Sequence, residues 1–409
     1  MRKPIVGLFV VLQVALSAPH GAAQAGPEPA TSDAVARLER ELAELRREYT
    51  ERLTALEERI RALSVPAPAA SPPAAVAEPA PVPVPAGSSK VFNPDIAVIG
   101  NFMGSAGRNR LEPEKAPLEL PEAEASFQAV VDPYARGDFF FAFSPEGVEV
   151  EEGFLTFQSL PGKLLLKVGQ MREGFGKVNG MHSHVLPWAD RPLVAQNFLG
   201  GDEGLADAGL SLARLIPIGS TFVEATGEVY SGTSTVFQAQ KRQDLSYVGR
   251  LRAYRDLSEA ANLDVGGSFA YGHNGQTENG TTKLFGVDAT FRYRPLRRAL
   301  YRRFIARSEL LWSRAAVPLG EVKSFGGYLS GEYQFARRWF AGARFDLAGR
   351  PFDTLPNDKG GSLLLTFWPS EFSQIRGQWR YTKHGLGGTS HEAIVQLLFA
   401  IGAHGAHSF

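Results

Sequence analysis

From about Asn93 to Phe409 the chain repeats one rhythm, in which segments of roughly ten residues alternate apolar with polar or charged side chains. In an extended strand successive side chains point to opposite faces, so each such segment has one greasy and one wet face. Leu263, Val265, Gly267, Phe269 and Tyr271 share one parity against Asp264, Gly266, Ser268 and Ala270. Phe285, Val287, Ala289, Phe291 and Tyr293 oppose Asp288, Thr290, Arg292 and Arg294, and Ile375, Gly377, Trp379 and Tyr381 oppose Arg376, Gln378, Arg380 and Thr382. A soluble sandwich would turn the apolar face inward. So many charges on the other face instead require a wet interior and an apolar exterior, the pattern of a strand barrel in lipid.

Sixteen strands are expected, starting near Asn93, Ala125, Gly137, Glu149, Gly162, Asp207, Gly219, Asp244, Ala260, Thr281, Arg302, Val322, Arg338, Lys359, Phe372 and His391. Joins after even-numbered strands are tight, as at Pro133–Arg136 and Leu160-Pro161. Joins after odd-numbered strands are mostly longer, as at Gly104–Glu124, 172–206 and Gly349–Asp358. An even count with long loops on one side is the arrangement such barrels adopt. The Glu149 strand needs a bulge around Glu151-Glu152 to keep its parity, and 295–301 is long for a turn.

The flanking sequence fits export. Ile5–Ala18, behind Arg2 and Lys3, is too short an apolar run to span a bilayer as a helix, and Ala23-Gln24-Ala25 is a cleavage signal, so residues 1–25 read as a signal peptide. Residues 32–64 space Val35, Leu38, Leu42, Leu45, Tyr49, Leu53, Leu56, Ile60 and Leu63 three or four apart, a short coiled coil with a stutter at Tyr49. So short a helix needs a packing partner, and self-association into a trimer is the expected one. Residues 65–91 are rich in Ala and Pro and form an extended spacer. The barrel is assigned to residues 92–409. The fold class is therefore all-β: a transmembrane antiparallel barrel of about sixteen strands behind a short α-helical coiled coil.

Charge and composition narrow the function. The 409 residues hold 43 basic and 43 acidic side chains; residues 1–91 carry ten of each, so the barrel is balanced as well. That excludes a nucleic-acid partner, which calls for a basic excess. The chain has no cysteine, so neither a disulfide framework nor lipidation on cysteine is available. No Gly-x-Ser-x-Gly, phosphate-cradling glycine loop or His-Glu-x-x-His occurs, and no strand pairs Ser with His on a lipid face, so no enzyme is expected. An energy-coupled receptor would need a globular plug and roughly 22 strands, more than the chain supplies.

The residues left to carry function line the lumen and its longest connection. The segment 172–206 holds Arg172, Lys177, His182, His184, Asp190 and Arg191, with Trp188, Leu193, Val194 and Phe198 among them. These apolar side chains do not suit a free external tail, so the segment is expected to fold inward and form the constriction, where rings of charge set selectivity. On the lumen parity, Lys163, Lys167, Arg250, Arg292, Arg307, Arg344, Arg376 and Arg380 stand on successive strands, outnumbering Glu224, Glu228, Asp264, Asp288, Glu309, Glu332 and Asp346. They form either a basic stripe that prefers anions or one half of bracing ion pairs such as Asp288 with Arg307 and Asp346 with Arg376. His182 with His184, and His404 with His407, are pairs short of the three or four ligands a zinc site takes, so no metal and no cofactor are expected. The last strand carries its apolar parity through Val395, Leu397, Phe399 and Ile401 toward Phe409, the terminal aromatic that barrel-assembly machinery reads.

One stretch is distinctive: Glu151-Glu-Gly-Phe-Leu-Thr-Phe157, then Leu160-Pro-Gly-Lys-Leu-Leu-Leu-Lys-Val-Gly-Gln-Met-Arg-Glu-Gly-Phe-Gly176. It resembles the phosphate-selective porin O and P family, in which a similar strand–turn–strand ends in Gly-Gln-aromatic-x-x-x-Phe-Gly, with Met171 here in the aromatic position. The resemblance implies a coiled coil ahead of a sixteen-stranded trimeric barrel and a third loop folded into the pore. The expected function is passive diffusion of small hydrophilic solutes or ions, with anions favoured, across a bacterial outer membrane. The expected surroundings are outer-membrane lipid outside and the coiled coil in the periplasm. The competing reading is a structural protein that tethers the barrel to the cell wall through the coiled coil.

Overall fold

The computed structural model describes residues 94–109 and 116–402, together with Arg47. The segments 1–25, 32–64 (Arg47 apart) and 65–91, as well as His404, His407 and Phe409, lie outside the described residues. What is described is a closed barrel of sixteen strands, each paired antiparallel with its sequence neighbours, with the last closing on the first. The strands are β1 Asp95–Arg108, β2 Leu118–Asp132, β3 Ala135–Ser144, β4 Gly147–Leu160, β5 Leu164–Arg172, β6 Ala206–Ile218, β7 Thr221–Tyr230 and β8 Ser246–Ser258. They continue as β9 Ala261–His273, β10 Thr281–Tyr293, β11 Arg303–Val317, β12 Gly320–Ala336, β13 Trp339–Ala348, β14 Asp358–Ser370, β15 Ser373–Lys383 and β16 Thr389–Gly402. β1 runs against β16 from Ala97↔Gly402 to Arg108↔His391, so no sheet edge is left to pair with another chain.

The barrel is inside out relative to a soluble protein. Val265 and Phe269 of β9 are 39% and 40% exposed, whereas Asp264 between strands of charge is fully buried. Val287 is 52% exposed and its neighbour Asp288 is buried. Outward aromatics line up across strands: Phe269 faces Phe285, Phe285 faces Trp312, and Trp312 faces Phe325 in the register of β9 to β12. A second row, Tyr293, Phe304 and Tyr333, crosses β10 to β12 eight residues further along β10. At about 3.4 Å per residue the rows stand roughly 27 Å apart along the strand, which suits the two aromatic girdles of a lipid-facing band.

Two local features decide what points inward. In β4, Phe140↔Glu152 is followed by Phe141↔Val150, so Glu151 is an extra residue and the bulge expected there is present. β2 starts at Leu118, not near Ala125, because Leu118–Ala125 pairs with β1 despite Pro121; a shift between Asn101 and Met103 absorbs the irregularity. The turn between β4 and β5 is the short helix Pro161–Lys163, in which Gly162 and Lys163 have positive φ.

Candidate functional site

The 33 residues between β5 and β6 run against the inner wall, and the wall holds them by their backbone. Glu228 of β7 accepts from Gly174 N at 2.7 Å, and Ser268 Oγ of β9 accepts from Gly176 N at 3.0 Å. Glu309 of β11 accepts from Lys177 N and Val178 N at 3.0 and 3.3 Å. Gln378 of β15 accepts from Ala189 N at 2.9 Å, and Asp346 of β13 accepts from Leu193 N at 3.2 Å. Loop amides that would be unsatisfied away from water thus find acceptors on five strands. Gly176 has φ +63 and lies against the Glu309 carboxylate, so a Cβ would have no room there.

The loop also carries its own apolar core. Phe175, Val178, Leu186, Trp188, Val194, Phe198 and Leu205 pack with the wall residues Leu284, Leu311 and Tyr328. Trp188 meets Tyr328 edge-on at 5.1 Å between ring centroids. The loop's one α-helix among the described residues, α1 (Leu193–Phe198), lies over β12 and β13, where Val194 reaches the space left by Gly326. The lumen is therefore dry where the loop sits, and the inward Leu284, Leu311 and Tyr328 break the polar parity because they face the loop.

Charges pin the same segment. Arg344 of β13, 1% exposed, donates from Nη2 to both carboxylate oxygens of Asp190 at 3.0 Å and from Nε to Asp346 at 2.7 Å. Arg380 of β15 reaches Asp190 at 2.8 Å and also pairs with Glu392. Burial alone would raise the Asp190 pKa, but the two guanidinium groups hold it below the usual carboxylate value. Arg191 turns away from the lumen and donates to the carbonyls of Val178 and Met181. Lys177 pairs with Asp264 at 2.6 Å, which also receives Arg252 at 2.8 and 2.9 Å. Arg172 pairs with Glu151 at 2.6 Å.

Between this loop and the short-turn end lies a cavity of about 1300 Å³. Its basic lining residues are Lys163, Lys167, Arg172, Lys177, Arg214, Arg250, Arg252, Arg292, Arg303, Arg307 and Arg376; its acidic ones are Glu173, Glu224, Glu228 and Glu332. His182 and His184 also face it. Of the residues expected at the constriction, Arg172, Lys177, His182 and His184 line this space, whereas Asp190 and Arg191 are buried in the loop's anchorage. Of those expected along the wall, Lys163 sits in the turn at the rim. Lys167, Arg250, Arg292, Arg307 and Arg376 line the cavity. Arg344 and Arg380 do not; Asp190 takes them.

The ion pairs differ from the two expected. Asp288 pairs with Arg250, at 2.8 Å, and Asp346 with Arg344. Asp288 stands opposite Glu309 in the register, so its cation comes from β8, reaching across β9 above Gly266, where a Cβ would collide with both groups. Arg376 donates to Gln396 at 2.7 Å, and Arg307 has no carboxylate within 4 Å among the described residues. Sequence reasoning missed a further group: Glu122 and Glu124 on β2 and Glu151 and Glu152 on β4 surround His182 and His184. The signal was there in the bulge, which brings two consecutive glutamates to one side.

No family model matches the chain. A curated relative, an uncharacterised protein of Aquifex aeolicus (strain VF5), is 31% identical over 388 aligned residues, covering 79% of this chain and 81% of that protein. Among solved structures, the anion-selective porin from Comamonas acidovorans superposes with a TM-score of 0.55 at 9% identity, over 75% of this chain and 98% of its own. The outer-membrane channel DcaP of Acinetobacter baumannii gives 0.52 at 10% identity, over 76% and 97%. A loop L8 deletion mutant of OmpT, an outer-membrane protein of Vibrio cholerae, gives 0.52 at 9% identity, over 76% and 100%. At these identities the likeness is one of fold: the chain has the sixteen-stranded barrel of outer-membrane porins.

Proposed function

The chain belongs to one family with the uncharacterised Aquifex aeolicus protein, and from its porin-type barrel and the charge of its cavity we propose an outer-membrane channel that passes small hydrophilic solutes by diffusion and prefers anions. The observation that carries this reading is the imbalance in the cavity lining, eleven basic side chains to four acidic, within a barrel whose total charge is balanced.

The imbalance has a physical origin. Several inward acids are consumed by the loop: Glu309 and Asp346 accept its amides, and Asp264 takes Lys177. What remains facing open space is mostly arginine. Such a wall lowers the energy of an anion in a narrow aqueous passage and raises that of a cation. The resemblance of residues 151–176 to phosphate-selective porins supports inorganic phosphate as one anion to test, and the anion-selective Comamonas porin shares the fold.

The rest of the chain fits the same role. Residues 1–25 direct export, residues 32–64 associate as a trimeric coiled coil in the periplasm, residues 65–91 space it from the barrel, and Phe409 serves assembly into the membrane. Loop residues Arg172, Lys177, His182 and His184 border the passage, while Asp190 and Arg191 fix the loop that narrows it. The test is conductance of the purified protein in a planar bilayer under a KCl gradient. A reversal potential set by chloride supports the proposal. Cation preference removes the anion preference, and a barrel that never conducts removes the channel.

A further inference from the structure

The loop residues His182 and His184 end their run against two strands at one acidic corner. Glu122 and Glu124 are two apart on β2 and so share a face. The bulge at Glu151 turns consecutive glutamates of β4 to the same side, so that both reach one ring: Glu151 Oε2 lies 3.0 Å from His182 Nδ1 and Glu152 Oε2 lies 2.8 Å from His182 Nε2.

One oxygen does not fit a network of hydrogen bonds alone. Glu124, 2% exposed, places Oε2 at 2.9 Å from His182 Nδ1 and 3.2 Å from His184 Nδ1, yet that oxygen accepts no hydrogen bond. His182 Nδ1 carries at most one proton, and Glu151 Oε2 is already aligned with it. A buried carboxylate oxygen that sits close to two imidazole nitrogens without accepting a hydrogen bond from either is held there by charge alone. It is well placed, however, on the shared edge of a coordination sphere. A divalent ion bound at about 2.0–2.2 Å to imidazole nitrogen and carboxylate oxygen keeps neighbouring ligand atoms roughly 2.9–3.5 Å apart. The ligand atoms of Glu124, Glu151 and His182 lie within 4.8 Å of one another, as do those of Glu122, Glu124 and His184.

We infer that His182, Glu124 and Glu151 bind a divalent transition-metal ion of the Zn²⁺ class, which fastens the inserted loop to β2 and β4, with His184 beside Glu124 at the edge of the site. One imidazole with two carboxylates and a position open to water is a borderline donor set, suited to Zn²⁺, Co²⁺ or Ni²⁺ and poorer for Ca²⁺ or Mg²⁺, which take oxygen alone. His182 binds through Nδ1 and donates from Nε2 to Glu152, the outer carboxylate that fixes a metal-bound imidazole. Arg172 steadies Glu151 through its other oxygen at 2.6 Å. Both histidines border the cavity, which gives the ion an aqueous route in. The inference holds whether or not the barrel conducts.

The test uses the full mature protein in detergent, stripped with a chelator and titrated with Zn²⁺ and Co²⁺ by calorimetry, with bound metal counted by elemental analysis. One ion per chain is expected, not displaced by Ca²⁺ or Mg²⁺ in excess. Binding should be lost in the double variant H182A/H184A and weaken by about 10–100-fold in Glu152→Gln, which changes only the outer support. The isosteric Glu124→Gln should also bind far more weakly while keeping the heat-modifiable gel mobility of a folded barrel. The Co²⁺ form of the wild type adds a spectroscopic readout of nitrogen and oxygen ligation that needs no variant. Absence of stoichiometric binding, unchanged binding without the two histidines, or equal affinity for Ca²⁺ overturns the site and leaves an imidazolium–carboxylate network.

Discussion

Arg344 on β13 and Asp190 in the inserted loop, 154 residues apart in the chain, meet with both carboxylate oxygens 3.0 Å from one guanidinium nitrogen, and neither side chain has appreciable access to water. The same guanidinium lies 5.0 Å over the Trp188 ring and holds Asp346 with its Nε. One arginine thus joins the loop's charge, its aromatic anchor and the wall. Replacing it by alanine leaves Asp346 without its cation and Asp190 with Arg380 alone. Removal of one partner from a buried ion pair costs about 3–5 kcal/mol. We expect Arg344→Ala to keep the barrel but release the loop: residues 173–205 become susceptible to limited proteolysis, and single-channel current becomes larger and noisier. A current and digestion pattern like the wild type's would show that the loop is held by other means.

Glu173 gives the inserted loop a pH dependence. It is fully buried, and neither carboxylate oxygen has a partner. Burial, then the nearby carboxylates of Glu228 and Asp207, raise its pKa well above the ordinary value of a glutamate. A raised folded-state pKa means that the folded loop binds a proton the released loop gives up. The stability so gained is full below the unfolded pKa and is lost as pH rises through the folded one. Above pH 4.5, loop protection should fall by about 1.4 kcal/mol per pH unit until Glu173 ionises in place. Hydrogen exchange of the loop amides between pH 4 and 8 measures this, and Glu173→Gln should flatten the profile.

The strands were legible in the sequence because a single period-two rule governs each of them, and lipid outside makes that rule strict. Fifteen starts fall within a few residues of the pattern; β2 does not, since Pro121 and Glu119, Glu122 and Glu124 hide a strand whose inward side is acidic. Which inward charge meets which was far less legible. The pairing of Arg250 with Asp288 depends on Gly266 being bare on the strand between them, and that of Arg344 with Asp190 on how a 33-residue loop folds. Direct cross-strand neighbours can be read from register; a partner two strands away, or in a loop, requires the third dimension. The inward Leu284 and Leu311 were illegible for the same reason, because they match loop residues and not the water expected in a lumen.

Val287, at the middle of β10 and 52% exposed, tests which face meets lipid. Its register neighbours are Gly267 and Leu310, so an introduced side chain has space and no steric reason to harm the sheet. Arginine at the midplane of a barrel's outer face costs about 2–4 kcal/mol. Val287→Arg should lower the folding free energy into lipid vesicles by that amount in a urea titration. Folding into detergent micelles, which adapt around the charge, should change less. No penalty in vesicles would place this face away from hydrocarbon.

Arg307 is a wall charge without local compensation, since it lines the cavity with no carboxylate within 4 Å among the described residues. An ion passing at roughly 7 Å in water feels each unit charge by about 0.6 kcal/mol, which screening at 0.1 M salt reduces by about half. Arg307→Glu changes the charge by two, which shifts each ion by about 0.6 kcal/mol, in opposite directions for chloride and potassium. The chloride-to-potassium preference should therefore fall by about 1.2 kcal/mol, roughly eightfold. Arg307→Gln changes it by one and should fall midway on a logarithmic scale. Reversal potentials of the three proteins under the same KCl gradient measure the series. Equal potentials for all three would mean that ions do not pass this arginine, and the conduction path would have to run elsewhere than through the basic cavity.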